Sequence, residues 1–334
     1  MARARAVNAL YAVLLTALLA APAPAVTASA SGTGRGPTAS QRASPVQDPA
    51  EPAPAPPRPR IPGERGLEIA VPAYAWADDR MLSDLTATRP AASVVVLNPG
   101  NGDAPFDAPW RARAAALRAA ATATGEKTKV LGYVHTDHGN RPVDEVKASV
   151  DNYLRPGGRA AGRLHVDGIF FDVVSRECGP GNAVRDYYAE LRRYVQEAVH
   201  AIDPEAEDLV VNNPGTAIAD CYLEPGRRTA DVFVTYEDTY ASYTGGGWLG
   251  GNVFDHATGY RPGTELDPSG TAFWHLVHEV PHAEAMGAVL STAFDRGAGY
   301  AYATSAAMPN PWNAGPTWKY RAQTEYAAGL GRDR

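Results

Sequence analysis

From residue 64 onward the chain alternates two patterns. Short apolar runs bounded by turn residues are followed by stretches in which apolar residues recur every three or four positions. The first pattern reads as buried strands and the second as amphipathic helices. Strands are predicted at 68–76, 93–98, 129–136, 166–174, 209–213, 231–237, 271–278 and 299–304. Helices are predicted at 78–88, from Asp107 to Gly125, at 142–154, around Tyr187 to Ala198, and at 283–296 and 317–328. Asp107 with Pro109 behind it is a helix start, and Gly329 is placed as a stop.

Eight such units in about 270 residues have the rhythm of an α/β protein of the (β/α)8 TIM-type barrel class. A doubly wound open sheet uses the same alternation, but no Gly-rich nucleotide fingerprint is present. The Gly-rich loop 245–251 lacks the Gly-Lys-Ser/Thr of a phosphate cradle. Asn-Pro-Gly follows both the second and the fifth strand, a faint half-barrel echo.

The first 63 residues break the pattern. Residues 1–30, with Arg3 and Arg5 before an apolar core and small-residue sites at 23–25 and 28–30, are expected to be a signal peptide. Residues 31–63, rich in Pro, Ala, Ser and Gly, are expected to be a disordered linker. Residues 64–334 then form one domain, secreted and without a membrane span. The chain carries −6; two Arg in 1–30, and four Arg against Asp48 and Glu51 in 31–63, leave the domain at −10. Such a charge repels a phosphate backbone, so nucleic acid is excluded as a partner. The two cysteines, Cys178 and Cys221, can form a disulfide in an exported protein or stand as separate thiols.

The stretch 166–174, V-D-G-I-F-F-D-V-V, is the clearest buried strand, with an acid at each end, Asp167 and Asp172. An acid there is most simply a cap or an ion-pair partner. In a barrel, however, the site forms at the C-terminal strand ends. Those ends carry Tyr74, Trp76 and Asp78, then Asn98, His135, Asp137, Asp172, Asn212, Asn213, Tyr236, Glu237, His275 and His278. Rings for stacking, amides for hydroxyls and two carboxylates make a sugar site. Asp172 and Glu237 are the catalytic candidates, although each could instead cap a loop or sit solvated. Substrate contacts are expected from Tyr74, Asn98, Tyr133, His135, Asp137, Asn213, Tyr236 and His278. A metal at His135/His138 or His275/His278 is disfavoured, because residues three apart on a strand end face opposite ways. No zinc spacing and no Gly-x-Ser-x-Gly nucleophile elbow is present. No metal or cofactor is therefore expected, and the chain is read as a monomer acting on a polysaccharide.

V-P-A-Y at 71–74, V-V-L-N-P-G-N-G at 95–102, L-G-Y-V-H-T at 131–136, D-G-I-F-F-D at 167–172, N-N-P-G-T at 212–216 and V-T-Y-E at 234–237 together resemble the spherulin-4 family. The resemblance implies a (β/α)8 barrel related to microbial endo-α-1,4-galactosaminidases, which cleave galactosamine-containing exopolysaccharides with retention. It makes Asp172 the nucleophile and Glu237 the acid/base, with Tyr74, Asn98, Tyr133, His135 and Asn213 around the subsites. Where the family often carries Asp-Glu, this chain has Asp172-Val173. Val173 motivates the alternative, a polysaccharide-binding cell-surface barrel that does not hydrolyse. A metal-dependent deacetylase ranks third.

Overall fold

The computed structural model describes residues 66–156, 163–224, 226–245 and 271–330. The expected leader and linker, and residues 246–251 of the Gly-rich loop, lie outside them. Eight parallel strands close into a barrel in sequence order. They are β1 (Glu68–Ala73), β2 (Val94–Leu97), β3 (Lys129–His135), β4 (Gly168–Asp172), β5 (Leu209–Asn213), β6 (Val232–Thr239), β7 (Ala272–His278) and β8 (Tyr300–Ala303). The α-helices are α1 (Arg80–Ala87), α2 (Ala108–Arg118), α3 (Val143–Leu154), α4 (Ala183–His200), α5 (Tyr240–Thr244), α6 (Ala283–Asp295) and α7 (Tyr320–Gly329). Among the described residues between β5 and β6, a 3-10 turn, Asp220–Leu223, takes the place of a helix. Among the described residues no helix is long and apolar enough to cross a membrane.

Local chemistry explains the helix starts. The Asp79 side chain accepts from the Met81 N–H at 2.7 Å, and Asp107 caps α2 with Pro109 in its first turn. The α2 prediction runs seven residues too far. After Arg118 the chain turns back in a small hairpin, with Ala121 bridged to Lys127 and Gly125 in the left-handed region. The Ala-rich composition favours helix there, but the Ala121–Lys127 pairing takes the backbone groups instead. Gly329 falls inside α7, and Leu330 ends it.

Directly paired residues of parallel strands share a face. Phe170 on β4 and Trp274 on β7 sit on strands that are not neighbours, so their 5.6 Å edge contact crosses the lumen. Tyr133 pairs with Phe170, and Tyr300 with Trp274, so both point inward as well. This aromatic layer fills the barrel and is the floor of whatever lies above it. Gly168 lets β4 and β5 approach, because a Cβ there would run into the Leu209 carbonyl oxygen.

The two acids of the central stretch separate cleanly. Asp167, at the N-terminal end of the barrel, bonds Arg118 at 2.7 Å and accepts from the Val130 N–H at 2.8 Å. Asp231 does the same with Arg192 and the Val210 N–H. These acids stitch the bottom of the barrel. Asp172 ends β4 at the opposite mouth. Nearby, Cys178 and Cys221 are joined as a disulfide, tying the loop after β4 to the loop after β5.

Candidate active site

At the mouth, one layer above Phe170, His135, Asp172 and Asn213 lie side by side on β3, β4 and β5. Asp172 Oδ1 accepts from Asn213 Nδ2 at 2.7 Å, and Glu237 Oε2 accepts from the same nitrogen at 2.8 Å. One amide therefore holds the two carboxyl oxygens no farther apart than about 5.5 Å. The amide has a fixed orientation, because Asn213 Oδ1 is taken by the Gly215 N–H at 2.8 Å. Gly215 in turn accepts from the Glu237 N–H at 3.0 Å, and it does so in the left-handed region that favours glycine. The Asn-Pro-Gly after β5 is thus the bracket that sets the carboxylate spacing.

Glu237 reaches this bracket through an irregularity. β6 and β7 pair in register up to Val234 and Trp274, then resume with Tyr236 opposite His275 and Glu237 opposite Leu276. The extra residue, Thr235, shifts the alternation by one. Glu237 consequently faces the lumen and Tyr236 faces out. The Tyr236 ring packs at 4.6 Å on Tyr243 of α5, and His275 accepts or donates to Tyr243 Oη at 2.8 Å on the same outer side. Tyr236 and His275 are therefore not among the groups gathered around the carboxylates. A bulge that sequence cannot show is the physical reason.

The remaining candidates fall into two shells. Tyr74 and Tyr133 meet edge to face at 5.1 Å, and the Asp172 charge acts on both phenols. Farther out, Asn98 bonds Asn101 of its own loop, Asp137 is exposed on the turn after β3, and His278 packs at 6.0 Å on Trp312. Sequence reasoning missed Trp312, whose indole Nε1 donates to Glu237 Oε1 at 2.7 Å from the loop after β8. The only signal was an aromatic residue in a loop on the catalytic side of a barrel.

Electrostatics differentiate the two acids. Burial, then the charge of Asp172, pushes the Glu237 carboxyl up to about 7, against the N–H groups of Asn213 and Trp312. Burial also raises Asp172, but hydrogen bonds from Tyr133, the Val173 N–H and Asn213 oppose that rise. Two close carboxyls of which one favours its proton are equipped for acid and nucleophile roles. Among the described residues no group of three or more His, Cys, Asp or Glu is placed to hold a metal.

Residues 68–324 match the sequence profile of spherulation-specific family 4. The chain belongs to that family. No curated protein matches it. Among solved structures, Aspergillus clavatus Sph3, in complex with GalNAc, is 22% identical, with a TM-score of 0.56 over 78% of this chain and 98% of that one. This likeness supports the shared barrel fold. A mandelate racemase/muconate lactonizing enzyme from Bordetella bronchiseptica RB50 is 13% identical, with a TM-score of 0.35 over 74% of this chain and 56% of its own, and carries no argument.

Proposed function

We propose that this family 4 protein is a secreted glycoside hydrolase that cleaves α-linked galactosamine or N-acetylgalactosamine polysaccharide with retention of configuration. The observation that carries the reading is the shared Asn213 amide, which keeps the bonded oxygens of Asp172 and Glu237 within about 5.5 Å of each other and so favours a nucleophile with an acid/base over an inverting pair at ~6.5–9.5 Å. The family, and the GalNAc bound by Sph3, support the sugar class. Export is supported by the disulfide, which persists in oxidising compartments.

In the first step Glu237 gives its proton to the glycosidic oxygen while Asp172 attacks the anomeric carbon. The C–O bond breaks, the leaving chain departs with the proton, and a glycosyl ester forms on Asp172. Loss of the Asp172 charge then lowers the proton affinity of Glu237. As a carboxylate it takes a proton from water, whose oxygen displaces Asp172 and releases the sugar. Tyr74 and Tyr133 line the pair, and Trp76, 63% exposed two residues beyond Tyr74, offers a ring for a sugar face.

Reducing-end release from α-1,4-linked N-acetylgalactosamine polymer tests the proposal. Wild type should release ends, while Asp172→Asn and Glu237→Gln should each lose about 10³-fold or more and remain folded. Wild-type rates in both variants would sink the assignment. A second reading, polymer binding without cleavage, rests on Val173 standing where the family often has an acid. It predicts retention of the polymer with no release by wild type.

A further inference from the structure

We infer that Trp312 is a positioning residue for the acid/base, its indole N–H fixing the Glu237 carboxyl plane and stabilising the ionised form that must act in the second half of the reaction. This rests on the hydrolase reading and extends it to a residue on a different loop. An indole N–H can only donate, so Glu237 Oε1 is always the acceptor of the 2.7 Å bond. Oε2 is held on the other side by Asn213. Two anchors, one on each oxygen, leave the carboxyl no freedom to rotate away from Asp172.

Trp312 is itself held on three sides. Its carbonyl accepts from the Tyr74 N–H at 2.8 Å, just past β1. Its ring lies 6.0 Å from His278 at the end of β7 and 6.0 Å from Tyr302 on β8. Its backbone N–H donates to Asn310 Oδ1 at 3.1 Å. Trp312 is 4% exposed, and among the described residues its one indole donor is matched by Glu237. Such a support suits a group that must place a proton within hydrogen-bond reach of a leaving oxygen.

A donor to a carboxylate is stronger than one to a carboxylic acid. The Trp312 bond therefore opposes burial and the Asp172 charge, and tightens when Glu237 ionises. The titratable groups around Glu237 are Asp172 on β4, Tyr74 after β1, Tyr133 and His135 on β3, His278 on β7 and the adjacent Asp238. Among the described residues, Trp312 is the group that bonds Glu237 Oε1.

The test is Trp312→Phe, which keeps the ring and deletes the donor. The basic limb of the kcat/KM profile should move up by about one pH unit, with kcat about tenfold lower. A lower rate with an unmoved limb would reduce Trp312 to a packing role and overturn the inference. Independently of activity and of that variant's folding, the indole 1H–15N resonances of the six tryptophans are followed with pH. One should titrate near the Glu237 midpoint in wild type and become flat in Glu237→Gln. No titrating indole would also overturn it. If wild type hydrolyses nothing, the hydrolase reading fails while the resonance experiment still decides whether the bond exists.

Discussion

Asp172 and Glu237 accept hydrogen bonds from a single nitrogen, Nδ2 of Asn213, at 2.7 and 2.8 Å. Their spacing is thus set at the end of β5, not by either acid's own strand. Both acids are raised by burial, yet the contacts of Asp172 with Tyr133, Val173 and Asn213 lower it again, whereas the Asp172 charge raises Glu237 further. The proposed roles and the expected pH behaviour rest on this asymmetry.

The activity profile should be bell-shaped. Glu237, pushed up to about 7, must hold its proton, so kcat/KM falls as pH rises through about 7. Asp172, raised from its ordinary value by burial, must be ionised, so kcat/KM also falls in acid. The two limbs belong to the pair as a whole. Rates measured between about pH 4 and about pH 9 check this. A flat profile from neutral into alkali contradicts it.

Folding stability carries the same signature. The Glu237 carboxyl rises from 4.5 to about 7 in the folded state, so its favourable contribution is complete below about 4.5 and is lost as pH rises through 7. Gln cannot ionise. Glu237→Gln should therefore gain on wild type by on the order of 2 kcal/mol between about pH 4.5 and about pH 8, in urea or guanidinium unfolding. A pH-independent difference contradicts the burial account.

Much of this was legible in the chain. β-branched and aromatic runs gave all eight strands, and barrel logic sent attention to their C-terminal ends. Asp167 and Asp172 flank the same strand, and only their positions at opposite mouths separate an ion-pair acid from a site acid. Tyr236 was not legible. Strict alternation from Val232 and Val234 turns it inward and Glu237 outward, and the bulge at Thr235 reverses both. Nor was Trp312, because its contact with Glu237 spans 75 residues and depends on a loop without periodicity.

Val173 has φ 55°, a conformation that a β-branched residue adopts at a cost. Its carbonyl accepts from the His138 N–H at 2.7 Å and the Thr136 hydroxyl at 3.0 Å. Asn tolerates this conformation and keeps the same backbone groups. Val173→Asn should raise stability by about 1 kcal/mol in denaturant unfolding with turnover retained. Loss of stability would show that Val173 packing outweighs the backbone strain.

Trp76 is the most exposed large apolar side chain among the described residues, at 63%, and its backbone is pinned by the Asp79 N–H at 2.9 Å. Its exposed ring offers a stacking face for a sugar beyond the cleaved bond. Trp76→Ala should raise KM for polymer by about tenfold while leaving an aryl monosaccharide substrate unaffected. Equal losses on both substrates would place Trp76 at the cleavage point instead.

The most direct measurement is the anomeric form of the first product, followed by 1H NMR as α-1,4-linked N-acetylgalactosamine oligomers are cleaved. A carboxyl pair held by one amide predicts the α-anomer first, with slow conversion to the equilibrium mixture, and no product from Asp172→Asn. The β-anomer appearing first, or no product from wild type, would contradict Asp172 as the nucleophile.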